Sequence, residues 1–141
     1  MKRALVLSTA VILGVSAIAV AQVKKTPAPA GAEVYFISPK DGETVTSPVT
    51  VKFGLKGMGI APAGITMENT GHHHLIVDGD APAAGVAVPN DPTHLHYGKG
   101  QTEASVELKP GKHTLLLVLG DFAHVPHDPA VVSKKITITV K

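Results

Sequence analysis

Histidine is the residue type in this 141-residue chain whose distribution asks for an explanation. All eight histidines fall between positions 72 and 127: the triplet His72-His73-His74, the pair His94 and His96, the single His113, and the pair His124 and His127. A neutral imidazole is a ligand for Zn, Cu or Ni, and it changes charge near neutral pH. Residues i and i+2 of a β-strand share one face, about 6.5–7 Å apart. His72 with His74, and His94 with His96, are therefore two candidate chelating pairs. With no cysteine in the chain, no thiolate competes with the imidazoles for a metal, and thiol redox chemistry and disulfides are excluded.

The rest of the composition closes off other functions. Lys2 and Arg3 account for the formal net charge of +2, and Arg3 is the only arginine. Beyond the N-terminal segment the charge balances, and the side chain best suited to bidentate phosphate contacts is missing. Nucleic-acid binding has no support. The absence of Trp and the presence of only two Tyr and three Phe argue against an aromatic platform for sugars. No Ser-His-Asp order and no paired-carboxylate motif stands out.

The elements that must position the histidines are strands. A basic start and an uncharged apolar run from Ala4 to Val20 precede Ala19-Val20-Ala21, the small-x-small pattern of signal-peptide cleavage. Residues 1–21 are read as a signal peptide, 22–32 (QVKKTPAPAGA) as a flexible linker, and 33–141 as one domain. Cleavage leaves no stable membrane anchor and places the mature chain in the periplasm or outside the cell. Alternation predicts strands at 34–37, 49–55, 72–78, 102–108, 113–120 and 136–140, with Val86 to Val88 as a further short pairing. Lys109-Pro110-Gly111-Lys112 reads as a tight turn, which makes 102–120 a β-hairpin. The expected fold is all-β, an immunoglobulin-like antiparallel β-sandwich of six to seven short strands.

That topology gathers the histidines. If the strand at 72–78 runs antiparallel to the strand at 113–120, and 102–108 is the latter's hairpin partner, then His72, the segment before residue 102 and the segment after residue 120 share one rim, and His113 lies at the opposite end. The expected metal ligands are His72, His74, His94, His96, His124 and His127, with Asp121 and Asp128 as carboxylates that orient the rings. His73 faces the core with Leu75 and Val77, and is read as a satisfied core-edge histidine. His113 is read as structural. The strand Thr114–Leu119 is apolar on both faces, so either the 79–101 loop covers its second face or a protein partner or second copy does.

Three functions are compatible with this pattern. The first is a carrier, buffer or sensor of Cu, Zn or Ni, with no organic cofactor. The second is a non-catalytic interaction module whose histidines form a structural network. The third is a metal-dependent enzyme, which needs an open coordination position. An imidazole site is expected to lose affinity by orders of magnitude between about pH 7 and pH 5, because each ligand must shed a proton with a reference pKa of about 6.5.

The segments GHHHL (71–75), THLHYGKGQTE (93–103), PGKHTL (110–115) and LGDFAHVPHDP (119–129) resemble a family of small exported bacterial domains defined as a domain of unknown function, family 4399. The resemblance covers about residues 33–140, and its motifs contain all eight histidines. It implies an exported β-sandwich and no established activity.

Overall fold

The computed structural model describes residues 25–141. The expected signal peptide, 1–21, lies outside them. The described residues form nine strands and no helix: β1 (Glu33–Ser38), β2 (Thr44–Val45), β3 (Val49–Lys56), β4 (Gly59–Ile60), β5 (Thr70–Val77), β6 (His94–His96), β7 (Glu103–Val106), β8 (Gly111–Gly120) and β9 (Ile136–Val140). One sheet has the order β1-β3-β7; the other runs β2-β9-β8-β5-β4, with β6 also on β5. The two-residue β2 pairs parallel to β9, and the remaining pairings of the long strands are antiparallel. This is the strand order of an immunoglobulin-like sandwich.

The strands form where alternation demands burial. In β3, Val49, Val51 and Phe53 are buried, while Thr50 and Lys52 face water. These residues meet Val34 and Phe36 of β1, and Leu75, Val77, Leu115, Leu117, Leu119, Ile138 and Val140 of the opposite sheet, in one core. β5 and β8 are buried on both faces. Their outer face carries a second, smaller core in which Ala81, Val88 and Val132 pack over Ile76, Leu116 and Val118. The chain's own loops thus cover the second apolar face. Val86 to Val88 forms no strand, but the Val88 amide donates to the His124 carbonyl at 2.9 Å.

Two expectations need correction. Residues 102–120 are not a hairpin: β7 pairs with β3, whereas β8 lies between β5 and β9 in the other sheet. The segment expected as a tight turn has only a bend at Pro110, and it carries the chain across the sandwich. Local turn chemistry specifies a reversal and says nothing about which sheet receives the next strand. Residues 25–32, expected as part of a flexible linker, are docked on the domain. The Asp128 amide donates to the Thr26 carbonyl, the Ala28 amide donates to the Asp128 carbonyl, and Ala28 and Ala32 pack against the main core.

Candidate metal centre

β5 sets the geometry because its two faces carry different chemistry. His73, Leu75 and Val77 point inward. His72, His74 and Ile76 point outward. Register then fixes their neighbours. His72 stands opposite Gly120 and His74 opposite Val118 on β8; on the other side His74 stands opposite His96 and Ile76 opposite His94 on β6. His96 is thereby brought beside His74 on the outer face. His124 arrives from the loop after β8.

Four rings meet there. His72, His74, His96 and His124 each offer a ring nitrogen, and these four atoms all lie within 4.8 Å of one another. His72 Nε2 and His124 Nδ1 are 3.1 Å apart, within hydrogen-bonding distance. His72 and His74 are almost wholly buried, while His96 and His124 form the solvent side of the group. His72 Nδ1 and His74 Nδ1 are buried with no hydrogen-bond partner. Leaving such an atom unpaired costs about 1–3 kcal/mol. Burial, followed by the nearby His124 and His96 rings, pushes the His72 pKa down to about 4. Burial and then the charges of His72, His96 and His124 push His74 down to about 3. His96 is lowered too, by desolvation and His124. The donors His72 and His74 are therefore neutral at pH 7 with lone pairs available, as a metal requires.

Two glycines make the room. A Cβ on Gly120 would fall 2.6 Å from His74 Cε1 and 3.3 Å from the His124 Cα. A Cβ on Gly98 would fall 2.3 Å from both Cε1 and Nε2 of His96. Neither glycine was among the expected site residues. The available signal was that both directly follow or flank strand ends next to histidines, where a missing side chain permits close approach.

Asp121 builds the loop that delivers His124. Its Oδ1 accepts the Ala123 amide at 2.8 Å and the Val125 amide at 3.0 Å, and its Oδ2 accepts the Thr26 hydroxyl at 2.6 Å. The His124 amide donates to the Asp121 carbonyl, and the Asp121 amide to the Val125 carbonyl. These bonds hold His124 at φ 66°, in the left-handed region. Asp121 thus orients His124 through the backbone, and its negative charge partly opposes the lowering of the His72 pKa.

The other expected ligands go elsewhere. His94 shares the outer face but lies level with Ile76, and its Nδ1 is 2.9 Å from Asp91 Oδ1. That carboxylate also accepts the Thr93 and His94 amides, closing a tight turn. His127 is buried, with Nε2 3.1 Å from the Thr70 carbonyl, and fastens the end of the 121–127 loop to the start of β5. Asp128 is exposed and pairs with Lys25 at 3.1 Å, so it touches no ring of the cluster. His73 packs on Phe53 with ring centroids 5.0 Å apart, but both its ring nitrogens are buried without a hydrogen-bond partner. It is a core residue, and burial lowers its pKa to about 4, partly opposed by the Gln101 backbone. His113 lies at the far end of β8, between Asp78 and the Lys109 carbonyl.

Fold and site together define an all-β sandwich with a four-histidine group able to hold a metal ion at one rim. A family model described as Domain of unknown function (DUF4399) matches residues 51–141, and the chain belongs to that family. No curated protein and no solved structure matches the chain.

Proposed function

We propose that this protein binds one transition-metal ion, Zn, Cu or Ni, through His72, His74, His96 and His124, and acts outside the cytoplasm as a carrier, buffer or sensor of that ion. The observation that carries the reading is the convergence of four ring nitrogens within 4.8 Å of one another, on three chain segments. A cation satisfies those lone pairs together; a hydrogen-bond network of neutral imidazoles satisfies only some of them. The apolar N-terminal run and its Ala19-Val20-Ala21 triplet support export. Protein exported and processed in this way has an intact mass beginning at Gln22.

A second reading has one observation in its favour. The 3.1 Å His72–His124 contact is a hydrogen bond that a structural histidine network would use. Metal analysis of protein purified without a tag or a nickel column separates the two. About one Zn, Cu or Ni per chain supports the site. Metal-free protein that also fails to take up any of the three ions leaves the network.

A further inference from the structure

From the ring arrangement we infer that the site is a closed, four-coordinate tetrahedral centre for a d10 ion, Zn(II) or Cu(I), rather than a tetragonal Cu(II) or Ni(II) site. The inference rests on the metal-binding reading and adds coordination number, geometry and ion class to it.

Metal–nitrogen bonds of about 2.0–2.1 Å put imidazole centroids about 3.2 Å from the ion. Four such rings in a tetrahedron are all about 5.2 Å apart; in a square plane they fall into neighbours at about 4.5 Å and diagonals at about 6.4 Å. The six centroid separations are 4.7 Å (His72–His74), 5.0 Å (His72–His96), 5.0 Å (His72–His124), 5.2 Å (His74–His96), 5.8 Å (His74–His124) and 4.7 Å (His96–His124). They cluster about the single tetrahedral value and do not divide into short sides and long diagonals.

The backbone dictates this shape. His72 and His74 stack along one strand, His96 sits beside His74 on the neighbouring strand, and His124 comes from a loop on the other flank. Two donors on one line and two from opposite flanks give a three-dimensional cage. Placing four rings in one plane would require moving β6 or the Asp121-braced loop.

Four protein donors saturate a tetrahedral ion. No position is left for substrate, which is the pattern of closed sites and not of catalytic ones. The donors also differ in burial. His72 and His74 are fixed in a strand buried on both faces, while His96 stands on a three-residue strand and His124 on a loop. Exchange of the ion proceeds by release of His96 and His124 first.

Cobalt(II) titrated into the tag-free protein at neutral pH tests the geometry, because tetrahedral Co(II) absorbs intensely in the visible and six-coordinate Co(II) only weakly. The expected result is an intense spectrum saturating at one equivalent and bleached by one equivalent of Zn(II). Copper adds a second arm: Cu(II) protein reduced with ascorbate under argon should lose its electron paramagnetic resonance signal and retain the ion as Cu(I). His124→Ala should weaken Co(II) and Zn(II) binding at least a hundredfold, since even residues behind the ligands cost 10–100-fold. A weak six-coordinate Co(II) spectrum, or copper released on reduction, overturns the tetrahedral d10 assignment while leaving a metal site in place. Failure to bind Co(II), Zn(II) and copper in either state overturns the site itself.

Discussion

His113 and the cluster at the opposite rim show two ways of burying imidazole in one sheet. His113 has partners for both ring nitrogens: Asp78 Oδ2 at 2.7 Å and the Lys109 carbonyl at 2.9 Å. Asp78 also accepts the Thr114 amide at 2.8 Å. The hydrogen bond that His113 donates to Asp78 raises the His113 pKa despite desolvation; against desolvation, the same bond and the Thr114 amide hold the Asp78 carboxyl below its usual range. His72 and His74 have no carboxylate in contact, retain unpaired nitrogens, and are pushed down to about 4 and about 3. His113 is anchored by an anion and a carbonyl. In the four-histidine group, His72 and His124 have each other as side-chain partners, and the group could hold a cation.

The largest expected effect comes from removing the two buried donors. His72→Ala with His74→Ala should reduce Zn(II) affinity by at least about a thousandfold, measured by competition with a chromophoric chelator, because two first ligands outweigh the 10–100-fold effect of outer groups. Gly98→Ala should come next. The backbone there tolerates alanine, but the new methyl occupies the place of the His96 ring. Affinity should fall by about ten- to a hundredfold, with the melting temperature of the metal-free protein nearly unchanged. His94→Ala should leave Zn(II) affinity within error and lower stability only slightly in urea unfolding, through loss of the solvent-screened Asp91 contact. A fall in affinity comparable to that of His96→Ala would erase the distinction between the two residues of that pair.

His113→Ala gives the smallest expected effect, and it is confined to stability. A folded pKa raised above the unfolded value contributes stability that is fully present below about pH 6.5 and is lost as pH rises through the folded value. The gap in urea stability between wild type and variant should therefore be widest at mildly acidic pH and narrow toward alkaline pH. The cluster carries the opposite sign. Lowered pKa values at His72 and His74 favour folding above about pH 6.5, and this contribution fades as pH falls toward 4 and 3. Metal-free protein should thus lose stability on acidification, and Zn(II) should restore it near neutrality. A His113 variant with altered metal affinity, or metal-free stability that rises on acidification, would contradict the contrast between the two ends.

Much of the architecture is visible in the residue pattern. Alternation at Val49–Phe53 and Ile136–Val140 places two strands, and the doubly apolar Thr114–Leu119 marks a strand with both faces covered. The shared rim of His72, His74 and His124 follows from the antiparallel β5–β8 pair; His96 reaches it because β6 pairs with β5, not through the expected 102–120 hairpin. What the pattern cannot give is long-range pairing. β7 carries a hairpin signal but joins β3, where Val106 is buried and Ala104 half-buried. The choice among the histidines depends on register. His96 is a candidate ligand because it is level with His74; His94, two residues earlier on the same face, is level with Ile76 and falls to Asp91. His127 differs from His124 only in where the Asp121-braced loop turns, and that depends on a carboxylate bonded to three partners.

Burial also revises the expected acid sensitivity. Four ordinary imidazoles would make affinity fall steeply from pH 7 to pH 5. His72 and His74, held neutral down to about 4 and about 3, bring no proton to be displaced in that window. Calorimetric titration of tag-free protein with Zn(II) at pH 7, 6 and 5 tests the central claim most directly. The expected result is one ion per chain at pH 7, with log affinity falling by at most about two per pH unit because at most two of the four rings release protons. Binding should be lost in the His72→Ala, His74→Ala variant. No Zn(II) heat at pH 7, or an unchanged isotherm in that variant, would contradict a metal centre built on this strand.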